Sequence, residues 1–256
     1  MSGALPAPVG DAQGLLADGF KDQIVVVVGG FGGIGAEVAR QAEALGARVV
    51  AASRRVAANT ADGPRLEARL DHTDAASRAE FVAWLTATVG RVDILVNTAG
   101  MTRSVPLKAI ERLDDGLIDA VMASNATGVL KLIRDLVPLL RAGHAPCIVN
   151  VSSVAARTGV GSNIAYVGAK AAMDAMSVSL AKALAPEIRI VNVAPSALDT
   201  DFAQGRPQDF IDRTIAATPL GRLATTTEVA NAVLAAARLL TMTTGETIVV
   251  DGGRRL

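Results

Sequence analysis

The sequence predicts an α/β fold: a doubly wound parallel sheet with helices on both faces, in a single domain. Three observations carry that expectation. Short β-branched runs alternate with Ala-rich helical segments from about residue 24 to residue 253. Such alternation demands right-handed crossovers and a parallel sheet. The runs are continuous rather than alternating, as in IVVVVGG over residues 24–30, which suits strands buried on both faces. The length, 256 residues with 50% of them hydrophobic, fits one large domain better than two small ones.

In chain order, residues 1–20 are rich in Pro, Gly and Ala without period and read as an N-terminal arm to the domain over 21–256. After the strand at 24–30, IGAEVARQAEALGA (34–47) has the pattern of an amphipathic helix closed by Gly46. RVVAAS (48–53) and RLEARLD (65–71) read as strands, joined by RRVAANTADGP, which is too short and too broken by Gly, Pro and Asn for a full helix. A helix over 81–90 precedes a strand over 93–100. A long helix is expected from roughly 112 to 142, with a kink or break at Pro138. A strand follows at 147–153, a helix from Tyr166 to about Ala185, and a strand over 188–195 stopped by Pro195. A helix over 227–240 and a strand over 246–253 close the pattern. Residues 201–222 interrupt the rhythm with a mixed segment long enough for a lid or substrate loop.

Bulk properties narrow the function. Lys+Arg and Asp+Glu are both 25, so there is no basic stripe of the kind nucleic acid demands. A net charge of zero gives little repulsion between copies and fits a chain that buries surface in an oligomer. The single cysteine, Cys147, excludes an intrachain disulfide and reads as a buried, inert thiol. The N-terminus lacks the basic and apolar regions of a secretory signal. No apolar run approaches the ~20 residues of a membrane span, so the expected location is cytoplasmic. No metal site is expected.

Two motifs carry chemistry. GGFGGIG, residues 29–35, lies after the first strand and before the first helix. Glycines there let the backbone turn sharply and approach a pyrophosphate seated on the helix N-terminus. The second strand ends in Ser53-Arg54-Arg55. No carboxylate stands there to repel a phosphate, and the planar fork of Arg suits one, so NADP(H) is favoured over NAD(H). The other motif is Tyr166-Val-Gly-Ala-Lys170, which holds the only tyrosine of the chain. On a helix the two residues share a face. An ammonium beside a phenol favours the phenolate, and a general acid or base works best with a pKa near the working pH. The bland alternative is a packed ring beside a solvated lysine tip.

Taken together, these motifs resemble the short-chain dehydrogenase/reductase family over about residues 20–253, with 3-oxoacyl-(acyl-carrier-protein) reductases a near look-alike. The T-G-x-x-x-G-x-G motif appears as V-G-G-F-G-G-I-G, N-N-A-G as N-T-A-G over Asn97–Gly100, and the terminal T-G-x-x-x-x-V-D-G-G matches Thr244 to Gly253. The resemblance implies a Rossmann-type sheet and a catalytic tetrad of Asn125, Ser153, Tyr166 and Lys170. Ser153 is selected over Ser152 by lying thirteen residues before the tyrosine. It implies cofactor contacts from Gly29, Gly33, Ile34 and Gly35, from Ser53, Arg54 and Arg55, from Asp71 and His72, from Asn97, Ala99 and Gly100, from Tyr166 and Lys170, and from Pro195, Leu198 and Thr200. In these roles Tyr166 exchanges a proton with a carbonyl or alcohol oxygen and Lys170 lowers its pKa and bonds the nicotinamide ribose. Ser153 donates a hydrogen bond to the same oxygen, and Asn125 holds a relay water.

The departures from the family pattern are specific. Val28 stands where a threonine hydroxyl normally ties the glycine turn to a neighbouring strand, and Thr98 replaces an amide. Each change is expected to cost roughly 1 kcal/mol of local stability. Ser196 replaces a glycine, and Gly32 occupies the place of a basic residue frequent in NADP enzymes. The resemblance implies a homotetramer, or a dimer, built partly on the helix that carries Met173 and Met176. The substrate is a small carbonyl or alcohol, or a 3-oxoacyl thioester; for a carrier protein, Lys182 matches one basic docking position but His144 stands at the other. The competing reading is a catalytically silent nucleotide-binding regulator on the same fold.

Overall fold

The computed structural model describes residues 19–63, 65–198 and 208–256. The chain enters through β1 (Ile24–Val28) and crosses by α1 (Gly33–Ala44) to β2 (Arg48–Ser53). It then runs to β3 (Arg65–Arg69), α2 (Ala75–Thr88) and β4 (Ile94–Asn97). A short 3-10 turn, Ile110–Arg112, leads into α3 (Asp115–Met122), a π-type turn (Ala123–Thr127) and α4 (Gly128–Arg141). Next come β5 (Cys147–Val151), the short α5 (Ala155–Thr158), α6 (Ile164–Leu184) and β6 (Arg189–Pro195). The chain ends through α7 (Gln208–Ala216), α8 (Thr226–Arg238) and β7 (Glu246–Val250). The strands form one parallel sheet in the order β3-β2-β1-β4-β5-β6-β7.

Successive strand residues point to opposite faces, and this alternation sorts the valines and isoleucines into two cores. On one face Val26, Val50, Leu66, Leu95, Ile148 and Ile190 pack against Phe81 of α2, Leu132 and Leu136 of α4 and Met173 of α6. On the other, Val25, Val27, Val49, Val96, Val149 and Val191 pack against Val38 of α1 and Val229 and Val233 of α8. The sheet is therefore covered on both sides, as continuous apolar strands require. After β3 the chain returns past β1 to β4. That reversal opens a crevice between the carboxyl ends of β1 and β4, where open α/β sheets bind ligands.

The expected helix over 112–142 is interrupted, but not at Pro138. Pro138 sits inside α4, which continues to Arg141. The irregularity is the π-type turn at Ala123–Thr127. There the Asn125 side chain donates to the Val121 carbonyl at 2.9 Å, taking the i−4 acceptor that a backbone amide would otherwise use. The run Asp115–Arg141 is long and apolar enough to cross a membrane by length and composition, yet its apolar residues supply the layer over β4 and β5. The helix expected at 81–90 begins earlier, because Asp74 caps it by accepting from Ser77 N at 2.7 Å. Within 201–222 the structure gives a nine-residue helix, α7, rather than a continuous loop; residues 201–207 and the arm through residue 18 lie outside the described residues. Cys147 is fully buried, and burial pushes its thiol up to about 11.

Candidate active site

The glycine turn crosses the carboxyl edge between β1 and α1. Gly29 has φ +88° and Gly33 φ +43°, conformations that glycine adopts without a Cβ penalty. A Cβ on Gly35 would stand 2.3 Å from the Gly29 carbonyl oxygen, so turn and helix touch backbone to backbone. At the start of α1, Gly32 offers no side-chain cap and the first turn holds no acid. By contrast Asp74, Asp114, Asn163 and Thr225 cap α2, α3, α6 and α8. The first N–H groups of α1 thus face the crevice without an internal acceptor, and above Gly32 nothing lies within 4 Å of a Cβ position. This cradle fits a pyrophosphate.

The tie expected to be lost at Val28 is made instead from Thr98. Thr98 Oγ1 donates to the Val28 carbonyl at 2.7 Å, beside the Thr98 and Ala99 backbone amides that donate to the same oxygen at 2.9 Å. The tie between the glycine turn and β4 is made from the β4 side.

At the end of β2, Ser53 Oγ accepts from the Arg55 amide at 3.2 Å. Arg54 reaches the Asp71 carboxylate at 3.8 Å and remains largely exposed. Burial works to raise the Asp71 carboxyl, but bonds from Thr73 and the Arg54 charge outweigh it and hold the group below its ordinary range. The His72 ring is buried, its Nε2 lies 2.8 Å from the Ser124 carbonyl, and burial lowers its pKa, which leaves its backbone for any cofactor contact. Asn97 likewise turns its side chain into the sheet, donating to Asn150 Oδ1 at 2.8 Å. Ile34, Ala99 and Gly100 are partly exposed along the crevice. Pro195 ends β6, Leu198 bridges to Ala224, and Thr200 lies outside the described residues.

The four tetrad candidates come from three places in the fold: the π-type turn, the end of β5 and α6. Asn125 rides on the π-type turn, fully buried; its Nδ2 also donates to the Met101 carbonyl at 2.7 Å, and its Oδ1 has no partner among the described residues. Ser153 follows β5 and is half-buried; its Oγ accepts from Ala155 N at 3.2 Å, which leaves the hydroxyl hydrogen to donate elsewhere. Ser152, by contrast, is buried beneath it. Tyr166 and Lys170 lie one turn apart near the start of α6. Lys170 Nζ stands 5.8 Å from the Tyr166 ring centroid and donates to the Val151 carbonyl at 2.7 Å. Lys170 is 4% exposed, and burial lowers its pKa to about 8, opposed by the charge of Asp174.

One positioning residue escaped sequence reasoning. Asn163, fully buried, caps α6 by accepting from Tyr166 N at 2.7 Å and donates to the Arg103 carbonyl at 2.8 Å. It fixes where the Tyr166 backbone begins and ties α6 to the loop after β4. An Asn three residues ahead of the tyrosine was the available signal. Among the described residues no cluster of three or more His, Cys, Asp or Glu side chains is placed to hold a metal ion.

The sequence profile of the family described as "Enoyl-(Acyl carrier protein) reductase" matches residues 29–255, nearly the whole described chain. The chain belongs to the short-chain dehydrogenase/reductase family. Among relatives of this family, 3-oxoacyl-(acyl-carrier-protein) reductase FabG of Escherichia coli (strain K12) is 32% identical over 91% of this chain and 98% of its own length. Cis-4-hydroxycyclohexanecarboxylate dehydrogenase of Sinomonas cyclohexanicum is 32% identical over 93% of this chain and 98% of its own. A short-chain dehydrogenase/reductase of the glucose/ribitol dehydrogenase type from Brucella melitensis superposes with a TM-score of 0.84 at 27% identity, covering 92% of this chain and 97% of that one. As a short-chain dehydrogenase/reductase the protein is an NAD(P)-dependent oxidoreductase acting on a carbonyl/alcohol couple.

Proposed function

We propose that the protein reduces a small-molecule ketone with NADPH, or oxidises the corresponding secondary alcohol, with Tyr166 as the acid/base. The observation that carries this reading is the buried Lys170 ammonium beside the Tyr166 ring, at 5.8 Å from its centroid. When bound, the nicotinamide supplies or accepts the hydride; the remaining work belongs to the chain. As negative charge grows on the carbonyl oxygen, Ser153 donates a hydrogen bond to it and Tyr166 transfers its proton. The Lys170 charge favours that loss, because a nearby cation stabilises the phenolate. The orphan Asn125 Oδ1 accepts from a water that returns a proton toward Lys170. In the reverse direction the phenolate takes the alcohol proton.

The cofactor preference rests on Arg54. It holds Asp71 only at 3.8 Å and is 69% exposed, so its guanidinium keeps donors for a 2′-phosphate. A carrier-bound thioester has less support. Lys182 lies in the last turn of α6 and His144 just before β5, and both positions are on the amino side of the sheet, away from the crevice. A homotetramer is supported by the apolar outer face shared by α4 and α6, where Leu130, Met176, Leu180 and Ala183 line a shallow hollow; light scattering at micromolar concentration should give four chains, and a monomer contradicts it. The proposed location is cytoplasmic.

The decisive assay follows NADPH consumption over a panel of ketones, sugars and acyl thioesters. Turnover of at least one small carbonyl is expected. Tight NADPH binding with no turnover anywhere would favour the silent regulator instead.

A further inference from the structure

Helix α6 places Lys170, Asp174 and Ser177 on one face, one turn apart. That face meets an in-register polar row crossing the sheet: Asn97 opposite Asn150, Asn150 opposite Asn192, and Asn192 opposite Thr247. Asn97 donates to Asn150, Asn150 to Ser177 at 3.1 Å and to Asn192 at 3.3 Å, and Asn192 Nδ2 to Asp174 Oδ1 at 3.2 Å. The row thus holds a half-buried carboxylate in place behind the lysine. A carboxylate withdrawn from water is costly unless something compensates its charge.

Among the described residues, the groups facing Asp174 are few. Lys170 lies one turn before it on α6 and Arg157 approaches from α5, itself 3.8 Å from Glu246 of β7. Asn192 bonds it from β6. Burial raises the Asp174 carboxyl above its ordinary range; the Ser152 hydroxyl at the end of β5, whose geometry falls short of a full hydrogen bond, and the Arg157 and Lys170 charges work against that rise. Lys170 donates to the neutral Val151 carbonyl, and a buried ammonium with only neutral partners tends to lose its proton.

We propose that Asp174 is the counter-ion that keeps Lys170 an ammonium, a positioning residue that acts on Tyr166 only through Lys170. This rests on the acid/base reading above but is measured separately from it. Lysines labelled with carbon-13 at Cε are titrated by NMR in the cofactor-free protein, and the resonance absent from Lys170→Met identifies Lys170. In folded Asp174→Asn, Lys170 should titrate about one pH unit lower, the size of effect that an opposite charge nearby exerts, while Asp174→Glu stays close to the parent. Asp174→Ser serves if the Asn variant does not fold. A purely structural role would change the melting temperature and leave the titration midpoint in place, and that result overturns the proposal. In the active enzyme the alkaline limb of kcat/KM for carbonyl reduction should move to lower pH in Asp174→Asn, because removing a negative charge eases proton loss from the Tyr166–Lys170 pair. If the parent shows no reductase activity, the NMR midpoint still decides the role of Asp174.

Discussion

At the end of β2, Arg54 stands 69% exposed and 3.8 Å from Asp71; past the end of β5, Lys170 is 4% exposed and bonded to the Val151 carbonyl at 2.7 Å. Both are cations at the carboxyl edge of one sheet, yet they are held in opposite ways. Water screens the arginine, so holding it costs the fold little and changing it disturbs little else. The lysine is stripped of water, so its charge acts strongly over short range and is costly to keep. In the proposed function the first selects a cofactor and the second tunes a proton donor. The difference teaches that selectivity can sit on the surface while acid/base chemistry needs a site the fold must over-determine. Asn163, Asn125 and the polar row behind Asp174 supply that over-determination.

The largest effect expected from breaking this contrast is at Lys170. Its pKa falls from 10.5 to about 8, which corresponds to about 3 kcal/mol of disfavoured charge. The folded pKa lies below the unfolded one. The unfolded chain therefore holds more protons between about pH 8 and 10.5, and this group's penalty is fully present below 8 and relieved as pH rises through that window. Lys170→Met should abolish turnover. After allowing for the lost bond to Val151 and for leaving Asp174 without its cation, the net gain in stability at pH 7 should be small, about 1 kcal/mol or roughly 3 °C in melting temperature. Paired thermal melts at pH 7 and pH 10 check the sign: the gain should shrink at the higher pH.

Arg54→Ala probes the exposed end. The NADPH Kd should rise about tenfold, a loss of roughly 1.4 kcal/mol, while the NADH Kd and the melting temperature stay nearly unchanged; fluorescence titration of both nucleotides reads this directly. An equal loss for both nucleotides would remove the distinction between a selecting cation and a binding one.

A smaller effect tests the joint between the two ends. Thr98→Val removes the hydroxyl bond to the Val28 carbonyl and should cost about 1 kcal/mol, roughly 2–4 °C. Adding Val28→Thr in that background should recover part of it, since the hydroxyl returns from the opposite strand. Differential scanning calorimetry of the single and double variants gives the coupling.

The readable parts of the molecule were those whose meaning is local. The glycine turn, Ser153 and the Tyr166–Lys170 spacing lie within single segments whose period or motif shows in one dimension. The strands were legible for the same reason, since each is a continuous apolar run. What escaped depends on register or on side-chain competition. Thr98 was read as a loss because its partner, Val28, is on another strand. Asn97, Asn150, Asn192 and Asp174 form a row only once the strands are aligned. The π-type turn at Asn125 arises from a side chain taking a backbone acceptor, which hydrophobic periodicity does not report, so Pro138 drew the expected break instead.

The most direct test of the central claim, that a proton donor tuned by a buried lysine performs the chemistry apart from cofactor binding, is a paired measurement on Tyr166→Phe. The NADPH Kd should remain within about twofold of the parent while carbonyl reduction falls by roughly 10³-fold or more, the range expected for losing a general acid. Reduction retained at a tenth or more of the parent rate, with the Kd unchanged, would contradict the account.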